Sequence, residues 1–313
     1  MRLRMAGYGL LVAMGLIAPF VVYPIFLMQA LCFALFACAF NLLLGYTGLL
    51  SFGHAAFFGA AAYATGYAVK TIGLGPAAGI LTGTVAAVVL GSVIGVLVIR
   101  RQGIYFAMIT LALAQLVYFF FLQSSFTGGE DGLQGIPRGH FLWVINLADD
   151  RKLYYVVLAI FLFGFVLIDR TIHSPFGQVL KAIRENESRA LSLGYDIDKY
   201  KLQAFVISAA LSGLAGATYA IVFTFVTLSS ADWHTSGDVV LMTLLGGMGT
   251  VFGPVVGAFA VVTLQSKLAD KVGPLVTVIT GGMFIVCVLV FRNGIVGEAA
   301  GLYHRVVGRR VDP

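Results

Sequence analysis

The chain has 313 residues, of which 59% are hydrophobic and only 11% are charged, and its formal net charge is +6. A mean hydropathy of +0.95 excludes an ordinary soluble domain, because a soluble fold carries solvated charges along its exposed faces. The basic residues are scattered over short gaps between apolar runs, which indicates a topology signal and disfavours a nucleic-acid surface.

Charge-free segments define the predicted membrane spans. No Asp, Glu, Lys or Arg occurs between Met5 and Val69, and similar runs follow along the chain. A spanning helix needs about 20 apolar residues, and the runs lack the alternation of barrel strands. The predicted fold class is therefore an all-α polytopic integral membrane protein. The predicted helices before residue 237 cover 7–23, 25–45, 55–70, 76–99, 104–122, 153–169 and 203–226.

The charge distribution predicts that both termini are cytoplasmic. This orientation places Arg100, Arg101 and the basic residues of segment 170–203 inside, as the positive-inside rule expects. The acidic loop 123–152 then faces outward. The whole chain, 1–313, is predicted to form a single transmembrane domain.

The last third of the chain, 237–291, is ambiguous. A cytoplasmic C-terminus needs an odd number of crossings after Asp232. The glycine-rich sequence 246–254 provides this number if it splits 239–266 into two short crossings. About ten spans then fit, including broken or half-helices.

A second break in the apolar pattern runs from Gly45 to His54 and combines three glycines with Ser51. Irregular backbone at membrane depth survives only when it is buried in protein or lines a cavity. An ordinary loop at the cytoplasmic surface explains the same pattern equally well. The residues predicted to line a translocation path are Asn41, Thr47, Ser51, His54, Gly246, Gly247 and Gly249.

Segment 170–203 leaves the membrane and carries charges of both signs. Ser174 and Pro175 predict the start of a short amphipathic helix, and Gly194 predicts its end. The apolar residues at helical spacing are Phe176, Val179, Leu180, Ile183, Ala190 and Leu191. Such a stripe packs on lipid headgroups or docks into a groove of a soluble partner, and the pattern does not decide between them.

One motif resembles a known family. The sequence Gly177-Gln-Val-Leu-Lys-Ala-Ile-Arg-Glu-Asn-Glu-Ser-Arg-Ala-Leu-Ser-Leu-Gly194 resembles the coupling-helix motif of bacterial ABC importer permeases. Asn41–Gly59, Phe205–Gly216 and Leu244–Pro254 resemble the same family, in the same order and spacing. The likeness is to branched-chain amino acid permeases of the Liv type, and the long loop 123–152 favours their M subunit.

The resemblance implies a subunit of a larger assembly. The expected partners are a second, H-type permease, two ABC ATPases and a periplasmic binding protein, in the bacterial inner membrane. No cofactor or metal is expected on this chain, with ATP and Mg held by the ATPases. The residues implied in coupling to the ATPases are Lys181, Arg184, Glu185, Asn186, Glu187, Ala190, Leu193 and Gly194.

The residues themselves weigh against other classes. The chain has no Gly-x-x-x-x-Gly-Lys-Ser/Thr motif, so the energy of ATP must enter through a partner. Ion-coupled carriers place ionisable residues inside their spans, and the predicted spans hold essentially none. The five histidines are dispersed and no His-Glu-x-x-His motif occurs, which disfavours an intramembrane enzyme.

A path without charge suits a small solute that is net-neutral or apolar. Branched-chain or other hydrophobic amino acids fit this expectation as zwitterions. Related permeases also serve urea, short amides and aromatic acids, and these solutes stay open as alternatives. An ion-coupled secondary transporter is the remaining alternative function.

Overall fold

The computed structural model describes residues 2–141 and 145–272, together with 278–279, 281–282, 285 and 294–297. The helices are α1 (Arg2–Ile17), α2 (Pro24–Thr47), α3 (His54–Lys70), α4 (Pro76–Val98), α5 (Gly103–Gln123), α6 (Asp150–His173), α7 (Pro175–Glu185), α8 (Glu187–Ser192), α9 (Ile197–Phe223), α10 (Trp233–Gly246) and α11 (Gly253–Val272). Short 3₁₀ turns cover Ala18–Phe20, Ser125–Thr127, Gly129–Asp131 and Leu228–Ala231.

The described part of the chain confirms the all-α membrane fold. Five of its helices, α2, α4, α5, α6 and α9, are long and apolar enough to cross a membrane. The ends of the predicted spans before residue 237 agree with those of the helices to within six residues. Prolines at the first turn of α2, α4 and α7 explain their sharp starts, because proline presets the helical φ and needs no amide partner there.

Helix α9 lies at the centre of the bundle and packs against α2, α3 and α4. Small residues permit these close contacts: a Cβ on Gly216 would stand 2.0 Å from the carbonyl oxygen of Phe58 on α3. Lipid is as apolar as the helix surfaces, so close van der Waals packing and buried hydrogen bonds hold such helices together. The glycine-rich composition thus serves the packing around α9.

One end of the bundle carries the strands and is called the hairpin end. Here β1 (Leu133–Gln134) pairs antiparallel with β4 (Phe225–Val226), and β2 (His140–Phe141) pairs with β3 (Ile145–Asn146). Arg138 bonds Asp150 at 2.7 Å and the carbonyl of Val222 at 2.8 Å. Loop 123–152, where the structure describes it, is therefore fastened to the bundle.

The opposite end carries α7 and α8 and is called the α7–α8 end. Both predicted breaks in the apolar pattern lie towards it. The segment between α2 and α3 covers residues 48–53, and the turn between α10 and α11 covers 247–252, termed the α10–α11 turn. The turn confirms the break predicted at 246–254. The ten-span count depends on residues after Val272, most of which lie outside the described residues.

Candidate functional site

The α10–α11 turn is joined to α2 through one buried amide side chain. Asn41 donates from Nδ2 to the carbonyl oxygen of Thr250 at 2.8 Å, and its Oδ1 accepts from the Gly249 amide at 2.9 Å. The side chain of Asn41 is 2% exposed. Both ends of its amide are satisfied by turn backbone, which would otherwise be unpaired at this depth.

Glycines allow the turn to form in so little space. A Cβ on Gly246 would lie 1.9 Å from the carbonyl oxygen of Gly253, so no other residue fits without a backbone shift. Gly247 and Gly249 have φ values of 124° and 78°, a region that favours glycine. The three glycines predicted to line a path are therefore required by the backbone geometry of the turn.

The break after α2 encloses a polar cluster made by Ser51, His54 and Ser208. Ser208 donates to the Ala39 carbonyl at 2.6 Å, so its oxygen accepts from Nε2 of His54, 2.9 Å away. Ser51 accepts from the Gly53 amide at 3.2 Å and donates to Nδ1 of His54 at 3.0 Å. These bonds fit a neutral His54 protonated on Nε2.

The cluster is closed in this conformation. Ser51 and His54 have no exposed surface, and the His54 ring makes edge contacts with Phe40, Phe57 and Phe205 at centroid distances of 5.1, 5.5 and 6.0 Å. Irregular backbone here is thus buried in protein, which is one of the two conditions that permit it at membrane depth. Lining of an open path by these residues stays a prediction.

Neighbouring helices supply partners for the free amides at the start of α3. The Phe52 amide donates to Oγ1 of Thr110 on α5 at 3.2 Å, and the Ala55 amide donates to Oγ of Ser236 on α10 at 2.9 Å. Thr47, also predicted on the path, bonds the carbonyl of Leu43 one turn earlier in its own helix. The break is therefore a defined structure held by α5, α9 and α10.

The amphipathic segment consists of two helices where the sequence predicted one. Ser174 caps α7 by accepting from the Gly177 amide at 3.3 Å, as expected. At Asn186 the chain is extended, with φ −160°, and the side chain accepts from the Arg189 amide at 3.0 Å. The single-helix prediction is wrong here because asparagine is a strong N-cap and starts a second helix, α8.

The end of the segment has the predicted glycine cap. Gly194 has φ +87°. Its amide bonds the carbonyl of Leu191 at 2.9 Å, and the Tyr195 amide bonds the carbonyl of Ala190 at 3.2 Å. These two bonds form a Schellman motif. Asp196 then caps α9 by accepting from the Lys199 amide at 3.3 Å, and the Lys199 side chain, which also bonds it, lowers the pKa of the Asp196 carboxyl.

The apolar stripe of α7 is buried within the chain's own bundle. Leu180 and Ile183 are 0% and 1% exposed, and Ala190 on α8 is 1% exposed. Helix α7 packs against α2, α6 and α9. We expected these residues to pack on a lipid surface or in a groove of a partner. They do neither, because the ends of three helices of the same chain already cover them.

Two charged residues of the motif fasten the segment to the bundle. Arg184 donates to the carbonyl of Gly45 near the end of α2. Glu187 accepts from the ammonium of Lys201 on α9, whose side chain is 1% exposed, and from Gln102 Nε2 at 2.6 Å. Both side chains are turned towards this chain, so their direct role is to hold α7 and α8 in place.

Other residues of the segment face outward. Leu191 and Leu193 are 64% and 68% exposed, and Tyr195 is 37% exposed. Lys181 lies over the ring of Tyr46, with Nζ 5.6 Å from the centroid, and lines a cavity of about 480 Å³ with Glu185. Leu191, Leu193 and Tyr195 are termed the α8 apolar patch. It stands among charged residues at the α7–α8 end.

Sequence reasoning did not identify several partners of the site. Gln102, Ser208 and Thr250 are distant in sequence from the residues they bond, so no local pattern marked them. Lys201 carried a detectable signal, since a lysine in the first turns of an apolar helix needs a counter-charge. Asp238, half-buried in α10, likewise shows that the described helices of the bundle are not entirely free of ionisable groups.

Comparisons with known proteins identify the family of the chain. The family model described as "Branched-chain amino acid transport system / permease component" matches residues 23–288. The high-affinity branched-chain amino acid transport system permease proteins LivM of Escherichia coli K12 and Salmonella typhimurium are each 30% identical over 258 residues, 74% of this chain. No solved structure matches the chain.

Other relatives, which match less of the chain, are named for other solutes. The autoinducer 2 import system permease protein LsrC of Klebsiella pneumoniae is 30% identical over 160 residues, 44% of this chain and 46% of its own length. The ribose import permease protein RbsC of Bacillus subtilis is 32% identical over 152 residues, 45% of this chain and 42% of its own. The chain spans 60% of the length of the LivM relatives. It belongs to the family of branched-chain amino acid transport system permease components.

Proposed function

We propose that this chain is the M-type permease subunit of an ATP-driven importer in the bacterial inner membrane. It carries branched-chain or other hydrophobic amino acids from a periplasmic binding protein to the cytoplasm. A second, H-type permease completes the pathway, and two ABC ATPases bind ATP and Mg and drive it. The family and the LivM relatives support this proposal.

The α8 apolar patch is the observation on which the proposal depends most. The inner face of α7 and α8 is buried in the bundle, so the patch is free for a partner. Exposed apolar residues rimmed by charge are typical of an interaction surface. Leu191, Leu193 and Tyr195 are the residues we assign to the ATPase contact, while Arg184 and Glu187 transmit its movement to α2 and α9.

Charge supports the orientation. Arg100, Arg101, Lys181, Arg184 and Arg189 all lie at the α7–α8 end. An excess of Lys and Arg marks the cytoplasmic side of a membrane protein. We therefore assign the α7–α8 end and both termini to the cytoplasm and the hairpin end to the side of the binding protein.

Electroneutral polar groups support the choice of solute. The Ser51–His54–Ser208 cluster contains hydrogen-bond donors and acceptors without net charge, and these become available to a solute when the break opens. A zwitterion needs such dipoles and no fixed counter-charge. Urea, short amides and aromatic acids are the alternatives, and uptake of each labelled solute distinguishes them.

Reconstitution in liposomes tests the function. The chain with its second permease, two ATPases and binding protein is expected to accumulate radiolabelled leucine only when ATP is present, and the chain alone is expected to accumulate none. Gradient-driven uptake by the lone chain would contradict the proposal and favour a secondary transporter. ATP-driven uptake of labelled urea or benzoate by the same assembly, without uptake of leucine, would replace the solute class.

A surface variant tests the ATPase contact. The double change Leu191→Asp and Leu193→Asp is expected to weaken ATPase binding by at least about tenfold, since buried apolar anchors dominate such interfaces. Ser188→Asp adds a charge to the same helix and is the matched control. Equal binding by the two variants would exclude the patch as the docking surface.

A further inference from the structure

A second cavity lies at the α7–α8 end, between the ends of α2, α6 and α7 and the α10–α11 turn. Its volume is about 330 Å³, within the range of small-molecule sites in proteins. The ionisable acidic and basic side chains among the lining residues are Asp169 and His173 on α6 and Lys181 on α7. Tyr8, Ile172 and Phe252 line it with apolar surface. It is termed the α6–α7 cavity.

Asp169 and Lys181 carry opposite charges and both line the α6–α7 cavity, but they do not form an ion pair with each other. Asp169 places Oδ1 3.1 Å from Nδ1 of His173. The Lys181 ammonium lies over the Tyr46 ring, and no carboxylate of the described residues comes within 4.0 Å of it. Since Asp169 and Lys181 line one cavity but do not pair, a ligand between them gains an interaction with each.

The apolar wall is firm. The Phe252 ring packs against Tyr8 and Phe165 at centroid distances of 5.7 and 5.4 Å, and the Tyr8 ring contacts Phe165 at 5.8 Å. Ile172 is 1% exposed and closes the wall from α6. These residues come from α1, α6 and the α10–α11 turn, so an apolar side chain seated here touches three elements.

We propose that the α6–α7 cavity binds one free zwitterionic amino acid with an apolar side chain. Its carboxylate pairs with Lys181, its ammonium pairs with Asp169, and its side chain lies on Tyr8 and Phe252. The site is separate from the buried Ser51–His54–Ser208 cluster. It is open at the α7–α8 end, where a solute that has already been released collects; this placement rests on the proposed function.

Occupancy has a mechanical consequence. The ligand joins α6, through Asp169, to α7, through Lys181, and to the α10–α11 turn, through Phe252. These elements must shift relative to one another if movement of α7 reaches α2 and the turn. A bound amino acid therefore holds them together and slows ATP hydrolysis by the assembled importer when the released solute accumulates.

Calorimetry on the purified full chain in nanodiscs tests the binding. Leucine is expected to bind, whereas 4-methylpentanoate lacks the ammonium group and isopentylamine lacks the carboxylate. Each of the two is expected to bind at least about tenfold more weakly, because each lacks one of the two charged groups that pair with the cavity. Equal affinity for leucine and either analogue, or no heat with leucine, would overturn the proposal.

Matched variants locate the site. Lys181→Gln and Asp169→Asn are each expected to weaken leucine binding about tenfold or more. Lys199→Gln and Asp198→Asn remove the same charges from exposed positions at the same end and are expected to bind as the parent does. Parent-like affinity in both cavity variants would overturn the proposal.

Protection of a thiol separates this site from any transport site. Val251→Cys, in a chain without the native cysteines, places a thiol in the cavity lining. Leucine is expected to slow its reaction with a water-soluble thiosulfonate, and unchanged reactivity at saturating leucine would place binding elsewhere. Binding is measured without partners, so failed import by the assembly would contradict the proposed function and leave this site standing. Import by the assembly without leucine binding to the lone chain would contradict this site and leave the proposed function standing.

Discussion

The carboxylate of Glu187, the first residue of α8, pairs with the ammonium of Lys201, which is buried at the start of α9. Gln102, from the connection between α4 and α5, bonds the second carboxylate oxygen of Glu187 at 2.6 Å. Three separate parts of the chain thus meet at one acidic side chain. The position of α8 depends on this meeting point.

Removal of one member of the Glu187–Lys201 ion pair is expected to lower the stability of the fold more than removal of both members. Glu187→Leu leaves a buried ammonium without a counter-charge, which costs on the order of 3 kcal/mol. The double variant Glu187→Leu with Lys201→Met is expected to recover most of this loss, because no unpaired charge remains. Thermal unfolding in nanodiscs measures both, with Glu185→Leu as the control on an exposed residue. A double variant less stable than Glu187→Leu would contradict this account.

The Schellman cap of α8 requires glycine. Gly194→Ala places a Cβ on a residue with φ +87° and is expected to destabilise the local structure by about 1 kcal/mol. Hydrogen exchange of the amides in 190–195 is expected to accelerate several-fold. Gly237→Ala, in α10, has open space and no positive φ and serves as the control. Unchanged exchange in both variants would show that the cap does not limit local opening.

The amide of Asn41 is expected to hold the α10–α11 turn. Asn41→Leu removes two hydrogen bonds to turn backbone and leaves the Gly249 amide unpaired, at a cost of about 1–3 kcal/mol. The expected result is faster hydrogen exchange in 247–252 and a lower unfolding temperature. Ser92→Ala removes a bond to the carbonyl of Val88 in its own helix and is expected to change neither. Slow exchange in Asn41→Leu would mean that the glycine contacts alone hold the turn.

Thiol labelling tests whether the Ser51–His54 break opens. Ser51→Cys and His54→Cys, in a chain without the three native cysteines, are expected to be unreactive towards water-soluble reagents in the lone permease, because both positions are fully buried. In the assembled importer we expect reactivity that changes with ATP and with the binding protein. Reactivity that stays constant in all states would assign the break to a connecting role.

The cap of α9 is expected to depend on pH at the acidic end of the range. The pKa of the Asp196 carboxyl lies below its ordinary value because the Lys199 side chain and backbone bond it. The cap is therefore fully effective above the ordinary carboxyl range, about pH 4, and is lost as the pH falls through the lowered pKa. The difference in exchange of the Lys199 amide between the parent and Asp196→Ala is expected to be smaller well below pH 4 than at pH 6. A difference that is the same at both pH values would contradict this assignment.

Much of the fold was predictable because lipid restricts the choice of structure. A charge-free run long enough to cross the membrane has to be a helix, so α2, α4, α5, α6 and α9 followed from composition. Caps at Ser174, Gly194 and Asp196 were predictable for a different reason, since each obeys a local rule of helix capping. Local rules leave few alternatives at these positions.

The partners of the site were not predictable from one sequence. Asn41 and Thr250 meet only because α10 and α11 fold back beside α2, and no spacing in the sequence records that meeting. The contacts that Arg184 and Glu187 make within the chain depend on the same packing. The charged motif of segment 170–203 was therefore interpreted as a surface for a partner. Two of its charged residues, Arg184 and Glu187, instead bond to other parts of the same chain.

The bond from Arg184 to Gly45 has a consequence for how this protein tolerates sequence change. Its acceptor is a backbone carbonyl, which every amino acid carries, so only position 184 encodes the chemistry of the link. Position 45 is restricted for a different reason: a Cβ there would stand 2.3 Å from Oδ1 of Asn41 and 2.8 Å from the backbone nitrogen of Gly249, which no side-chain change removes. Position 184 thus requires a long, positively charged side chain, and position 45 requires a residue without a side chain. A substitution of Arg184 or of Gly45 is therefore expected to be compensated only by reversion at the same position. No change elsewhere restores the guanidinium of residue 184 or makes room for a side chain at residue 45.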